Sequence, residues 1–107
     1  ELLLKESPTR ELETMMLDEA SRTPPPIKSA IYGDILREPP DVFPDIDVPM
    51  LVCAGADEKW RSVESVKRVA ELVPDSRFEL FEESGHCITI EEPERFNQVL
   101  SDFVDSL

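Results

Sequence analysis

The sequence predicts an α/β fold, and three observations carry that prediction. A short apolar run from Met50 to Ala54 closes at Gly55, a segment of helical period runs from Ser62 to Pro74, and a second apolar run holds Phe78, Leu80 and Phe81. Strand, helix and strand in about thirty residues make a βαβ unit, with a right-handed crossover and parallel strands. The expected architecture is this unit plus a C-terminal helix, preceded by two further helices. Residues 1–47 form the leading helices and linker, and residues 48–107 form the α/β core.

Each element has its own warrant. Ser7 and Pro8 start the first helix, Ser as N-cap and Pro at the first helical position, and Leu12, Met15, Met16 and Ala20 mark its apolar face. Thr23 and Pro24 repeat the device, with Ile27, Ala30 and Ile31 as the stripe of a second helix. Pro39, Pro40 and Pro44 bar a long helix beyond Glu38, which leaves an extended connection anchored by Phe43 and Ile46. Met50 to Ala54 carries no polar side chain, as suits a strand buried on both faces of a parallel sheet. Val63, Val66, Val69, Ala70 and Val73 recur at helical spacing with Glu64, Lys67, Arg68 and Glu71 between them; Ser62 caps that helix and Pro74 stops it. In the last helix Pro93 suits the first turn, Glu91, Glu92 and Glu94 favour its positive end, and Phe96, Val99, Leu100, Phe103, Val104 and Leu107 trace one face.

The βαβ geometry has a chemical consequence. Parallel strands end at the same edge of the sheet, about 4.8 Å from their neighbours. The loop after the first strand carries Asp57 and Glu58, and the loop after the second carries His86, the only histidine. A carboxylate and an imidazole far apart in sequence thus meet at the carboxyl edge, where open α/β sheets place their sites.

These residues also carry a resemblance. The run Val-Pro-Met-Leu-Val-Cys-Ala-Gly-Ala-Asp-Glu at 48–58, the Ser-Gly-His at 84–86, and Glu-Glu-Pro-Glu-Arg-Phe-Asn-Gln-Val-Leu-Ser-Asp-Phe at 91–103 resemble the C-terminal part of the α/β-hydrolase superfamily. The similarity covers residues 47–107 and weakens upstream. It implies a partial α/β-hydrolase fold of the serine-hydrolase type, similar to esterases, lactonases and haloperoxidases, in which residues 1–47 are the end of a helical cap. It implies a catalytic acid three residues after Gly55, at Glu58, with Asp57 as the adjacent candidate, and a catalytic histidine at His86. Two departures stand out: the family more often has Asp at the acid position, and a proline a few residues later where this chain has Ser62. The family's nucleophile sits on a Gly-x-Ser-x-Gly elbow ahead of the acid and the histidine. This sequence has three glycines, Gly33, Gly55 and Gly85, no two of them four apart, so the elbow is absent from it. Such a chain is expected to carry the acid and histidine of a Ser-His-Asp/Glu triad for an ester or related carbonyl substrate, and to be inactive alone. The alternative is a hydrolase-like interaction module without chemistry.

Composition narrows the partners. Eleven Lys and Arg against 24 Asp and Glu give a formal charge of −13, which repels phosphate backbones and anionic head groups. Nucleic acid and membrane surfaces are therefore not expected partners; a small-molecule substrate is, together with a missing N-terminal hydrolase half or another copy of the chain. The acids are spread through helices and loops as a solvated surface, a composition that a halophilic source also produces. No apolar run approaches the roughly 18 residues of a membrane span, and Leu2, Leu3 and Leu4 are too few for a signal-peptide core, so a cytoplasmic location is the expectation.

Cys53, inside a strand, and Cys87, after the histidine, suggest neither a disulfide framework nor a metal-ligand spacing. One imidazole among Asp57, Glu58 and Glu83 is a poor metal set, and neither metal nor cofactor is expected. Trp60, in the acid loop, is a candidate to face substrate, and by the resemblance Met15, Met16 and Tyr32 are candidate pocket residues of the cap, although such residues on a helix stripe ordinarily serve packing.

Overall fold

The computed structural model describes residues 3–35 and 42–107, with the backbone alone for residues 30 and 32–35. The described residues divide into two compact units, one of residues 8–35 and one of residues 3–7 with 42–107. The residues before the first helix and the stretch from Val42 onward therefore group with the α/β core. The expected pocket role of Tyr32, and the helix stop at Pro39 and Pro40, lie outside the described residues.

The helical unit contains α1, Arg10–Ser21, and α2, Pro25–Ile35. Helix α1 starts two residues later than Ser7 and Pro8 suggest. Its N-cap is Thr9, whose hydroxyl accepts from the Leu12 N–H at 3.3 Å and whose carbonyl accepts from the Glu13 N–H at 2.9 Å. Glu11 and Glu13 then occupy the first turn, at the positive end of the helix dipole. At α2 the carbonyl of Pro24 accepts from the Ile27 and Lys28 N–H groups. Pro25 and Pro26 thereby fall in the first turn, where a missing N–H costs nothing.

The other unit begins its ordered run with a single 3₁₀ turn, Phe43–Asp45, and continues through β1, Met50–Gly55; α3, Val63–Leu72; β2, Ser76–Phe81; α4, Ile88–Glu91; and α5, Pro93–Asp105. Strands β1 and β2 are parallel, in register from Met50 opposite Ser76 to Gly55 opposite Phe81. The expected βαβ unit and C-terminal helix are both present, so the α/β class holds. Ser62 caps α3 as predicted, its hydroxyl accepting from the Ser65 N–H at 3.1 Å.

The apolar core is drawn from every layer: Val52 and Ala54 of β1, Ala70 of α3 with Val73 after it, Phe81 of β2, Val99 of α5, and Leu4. Phe81 is fully buried and packs against Phe96 of α5 with ring centroids 6.3 Å apart, while the Arg95 guanidinium lies 4.6 Å over its face. The burial of β1 is less even than a strand covered on both faces would show, since Leu51 and Cys53 remain half-buried. With β1 and β2 the only strands among the described residues, each has one unpaired edge. No helix among the described residues is long and apolar enough to cross a membrane.

Candidate active site

Because Gly55 and Phe81 are register partners, the two loops leave the sheet at one level. They interlock at once: the Ala56 N–H donates to the Phe81 carbonyl at 2.9 Å, and the Asp57 N–H to the Ser84 carbonyl at 3.0 Å. The approach requires glycine, since a Cβ on Gly55 would lie 1.9 Å from the Gly85 carbonyl oxygen and 2.5 Å from that of Ser84. A turn closed by the Glu58 N–H on the Gly55 carbonyl at 3.3 Å then sends the Glu58 side chain toward the histidine loop.

Glu58 Oε2 lies 2.5 Å from His86 Nδ1, and Oε1 accepts from the Trp60 N–H at 2.8 Å. The carboxylate side chain is 9% exposed and the imidazole 44%. Burial pushes the Glu58 carboxyl up, but the N–H donors of Trp60 and Lys59 and the facing imidazole outweigh it and hold the group below the usual glutamate range. With Nδ1 donating to that carboxylate, Nε2 is left as the proton acceptor. The Trp60 ring stands 5.4 Å from the imidazole, tilted by 37°, and half its surface is exposed. A cleft of about 240 Å³ opens here, lined by Cys53, Gly55, Glu58, Arg61, Val66 and His86 among others.

The neighbouring acid takes another partner. Asp57 is half exposed and lies 3.6 Å from Lys5 Nζ. Adjacent side chains leave this tight turn in different directions, and only the one three residues beyond Gly55 reaches the imidazole.

No protein-family profile matches the chain. Relatives and solved structures do. Over 72 residues it is 35% identical to a 2-hydroxy-6-oxononadienedioate/2-hydroxy-6-oxononatrienedioate hydrolase of Paraburkholderia phymatum, matching 61% of this chain and 25% of that protein. Over 64 residues it is 38% identical to a proline iminopeptidase of Heyndrickxia coagulans, matching 59% of this chain and 22% of that one. An esterase structure from Exiguobacterium antarcticum superposes on 97% of the chain with a TM-score of 0.82 and 27% identity, and the chain accounts for 39% of it. By sequence and fold the chain resembles the C-terminal part of α/β hydrolases. It spans about a quarter of the length of the curated relatives it matches.

The other candidate residues fall as follows. Met15 and Met16 belong to α1 in the helical unit, where Met15 is half exposed and borders a shallow depression with Arg10, Glu11, Thr14 and Asp18. Cys53 and Cys87 are free thiols, and burial pushes both up from the usual thiol range. No three His, Cys, Asp or Glu side chains gather as a metal site would need among the described residues. What sequence reasoning missed is the frame of the histidine loop. Glu92, read as a helix-dipole acid, accepts from the Ser84 hydroxyl at 2.6 Å and the Glu83 N–H at 3.1 Å, and pairs with Arg95 at 3.3 Å. Ser84 is fully buried by this arrangement. The available signal was the doubled acid, Glu91 and Glu92, directly before Pro93.

Proposed function

We propose that this chain supplies the acid and the histidine of a hydrolytic Ser-His-Glu triad acting on an ester or related carbonyl substrate. One observation carries the reading: the buried Glu58 carboxylate meets His86 Nδ1 at 2.5 Å at the edge of a cleft. Glu58 is the orienting acid and holds His86 in the tautomer whose Nε2 is free. His86 is the general base, taking the proton of a serine hydroxyl as its oxygen attacks the carbonyl carbon, then giving it to the departing alkoxide; water repeats the cycle to release the acid. Trp60 lies beside the imidazole and is proposed as a wall of the substrate site. Because the sequence contains no Gly-x-Ser-x-Gly, the reading takes the serine from an N-terminal hydrolase half, whether encoded upstream or carried by a partner. That half would also cover the unpaired edge of β1. The setting is taken to be the cytoplasm.

The test is hydrolysis of an activated aryl ester by the chain alone and with a co-purified or upstream-encoded elbow segment, each beside His86→Ala, with intact mass after fluorophosphonate treatment. The expected result is no turnover and no adduct on this chain alone, and His86-dependent turnover once the elbow is present. An adduct on the chain alone refutes the division of the triad. A biological activity that survives His86→Ala favours a binding module.

A further inference from the structure

We propose that residues 3–5 form a strap that holds the histidine loop against the acid loop, and that Glu91 is the positioning residue that locks it. The Leu3 carbonyl accepts from two successive amides, His86 N–H at 3.0 Å and Cys87 N–H at 3.2 Å. The backbone of the candidate general base is thus anchored to a residue more than eighty positions away. Leu4 is driven into the core, at 6% exposed, which fixes the strap by its side chain as well. Lys5 Nζ pairs with Glu83 of the histidine loop at 2.6 Å and approaches Asp57 of the acid loop at 3.6 Å. This short segment therefore touches both loops that the proposed triad needs in register, Leu3 on the histidine loop and Lys5 on both.

Glu91 resolves a conflict built into this contact. The strap and the loop approach so closely that a Cβ on Gly85 would lie 2.9 Å from Lys5 N and 3.0 Å from Leu4 C. Two N–H groups, of Lys5 and of Gly85, are left here, and two donors cannot satisfy each other. A half-buried donor without a partner is costly. The Glu91 carboxylate answers with one oxygen for each: Oε1 accepts from Lys5 N–H at 2.5 Å and Oε2 from Gly85 N–H at 2.9 Å. Glutamine offers one acceptor and one amide donor in the same space, so it satisfies one N–H and opposes the other.

The importance of the strap to turnover rests on the hydrolytic reading above; its effect on His86 does not. The experiment is therefore read on the chain itself by nuclear magnetic resonance, where the single histidine gives unambiguous ring signals. Glu91→Gln and Glu91→Ala are compared with wild type and with Glu94→Gln, which removes one charge from the exposed start of α5. In Glu91→Ala the His86 and Cys87 amides are expected to exchange about tenfold faster, with Glu91→Gln in between, as loss of hydrogen bonds to a charged group implies. The ring is expected to lose its preference for the Nδ1-protonated tautomer, while amides inside β2 and those of Glu94→Gln keep wild-type behaviour. An unchanged tautomer with unchanged His86 exchange overturns the proposal. So does a uniform rise in exchange across β2, which reduces Glu91 to a general stabiliser. Should Glu91→Ala not fold, Glu91→Gln decides by the same two readouts. Absence of His86-dependent turnover with the elbow segment present, together with a Glu91-dependent tautomer, would reject the hydrolytic reading and leave the strap standing.

Discussion

Replacing Gly55 by alanine adds one methyl group where two loop backbones already touch. The new carbon would sit 1.9 Å from the Gly85 carbonyl oxygen, so the loop must retreat by about 1 Å before an allowed contact is reached. Both atoms belong to backbone, and no rotamer change relieves the overlap. The bonds that cross this junction are Ala56 N–H to Phe81 at 2.9 Å and Asp57 N–H to Ser84 at 3.0 Å; a further 1 Å takes the second outside hydrogen-bond range. Losing one or both, at about 0.5–1.5 kcal/mol each, and exposing part of Ser84 gives about 2–3 kcal/mol of destabilisation. The larger effect falls on the site, because Glu58 is three residues beyond the clash and its 2.5 Å contact with His86 depends on that loop. Urea titration of Gly55→Ala beside wild type measures the first quantity, and the His86 ring tautomer reports the second. A midpoint unchanged to within about 0.5 kcal/mol, with the tautomer preserved, would refute the claim that glycine here is set by backbone approach.

Glu58→Gln should lower His86-dependent turnover of the assembled hydrolase by roughly 10³–10⁴-fold, as loss of a triad acid does, whereas Asp57→Asn should leave turnover within about threefold; equal losses would overturn the assignment of the acid. Phe81→Ala empties a fully buried site between α5 and the sheet and should cost about 3–5 kcal/mol, enough to leave much of a small domain unfolded at 25 °C by circular dichroism. Seven buried apolar side chains and a two-stranded sheet among the described residues predict a thermal midpoint for the chain alone below about 65 °C, checked by calorimetry.

The elements with long, regular patterns were legible in the sequence, because a run such as Met50 to Ala54, or Val63 to Val73, states its period and its stops within one element. The meeting of acid and base followed from the parallel order of the strands. Which of Asp57 and Glu58 reaches the histidine did not, since both lie in one turn and the choice is made by the Glu58-to-Gly55 closure, a matter of local backbone path. Helix α4 has four residues, too few to show a period, and its Ile88 and Ile90 alternate as a strand would. The strap was invisible for a different reason. Leu2, Leu3 and Leu4 read as a fragment of apolar sequence, and nothing local says that Lys5 will meet Glu91, 86 residues along the chain.

The distribution of the acids leads to a last prediction, in which two terms of opposite sign compete. The chain carries −13 formal charges, and self-repulsion on that scale weakens the compact state. Acidification from pH 7 toward about 4.5, near the ordinary carboxylate range, discharges part of the surface and should stabilise the fold. Glu58 and Glu92 work the other way. Burial raises both, but the donors on each, Trp60 and His86 on the first and Ser84 and Arg95 on the second, hold them below the usual glutamate value of 4.5 in the folded chain. A group depressed on folding contributes stability that is present above its unfolded pKa and is lost as pH falls through the folded one. Their contribution is therefore intact while the surface discharges, and it disappears only below pH 4.5. Stability should rise to a maximum near pH 4.5 and then fall, with the Glu58 and Glu92 hydrogen bonds the last ionised contacts to be lost. Urea midpoints at half-unit intervals from pH 7 to 3 test this, and added salt at pH 7 should mimic the first limb by screening. A midpoint that declines steadily from pH 7, with no gain from salt, would mean that native-state carboxylate contacts outweigh repulsion across the whole range.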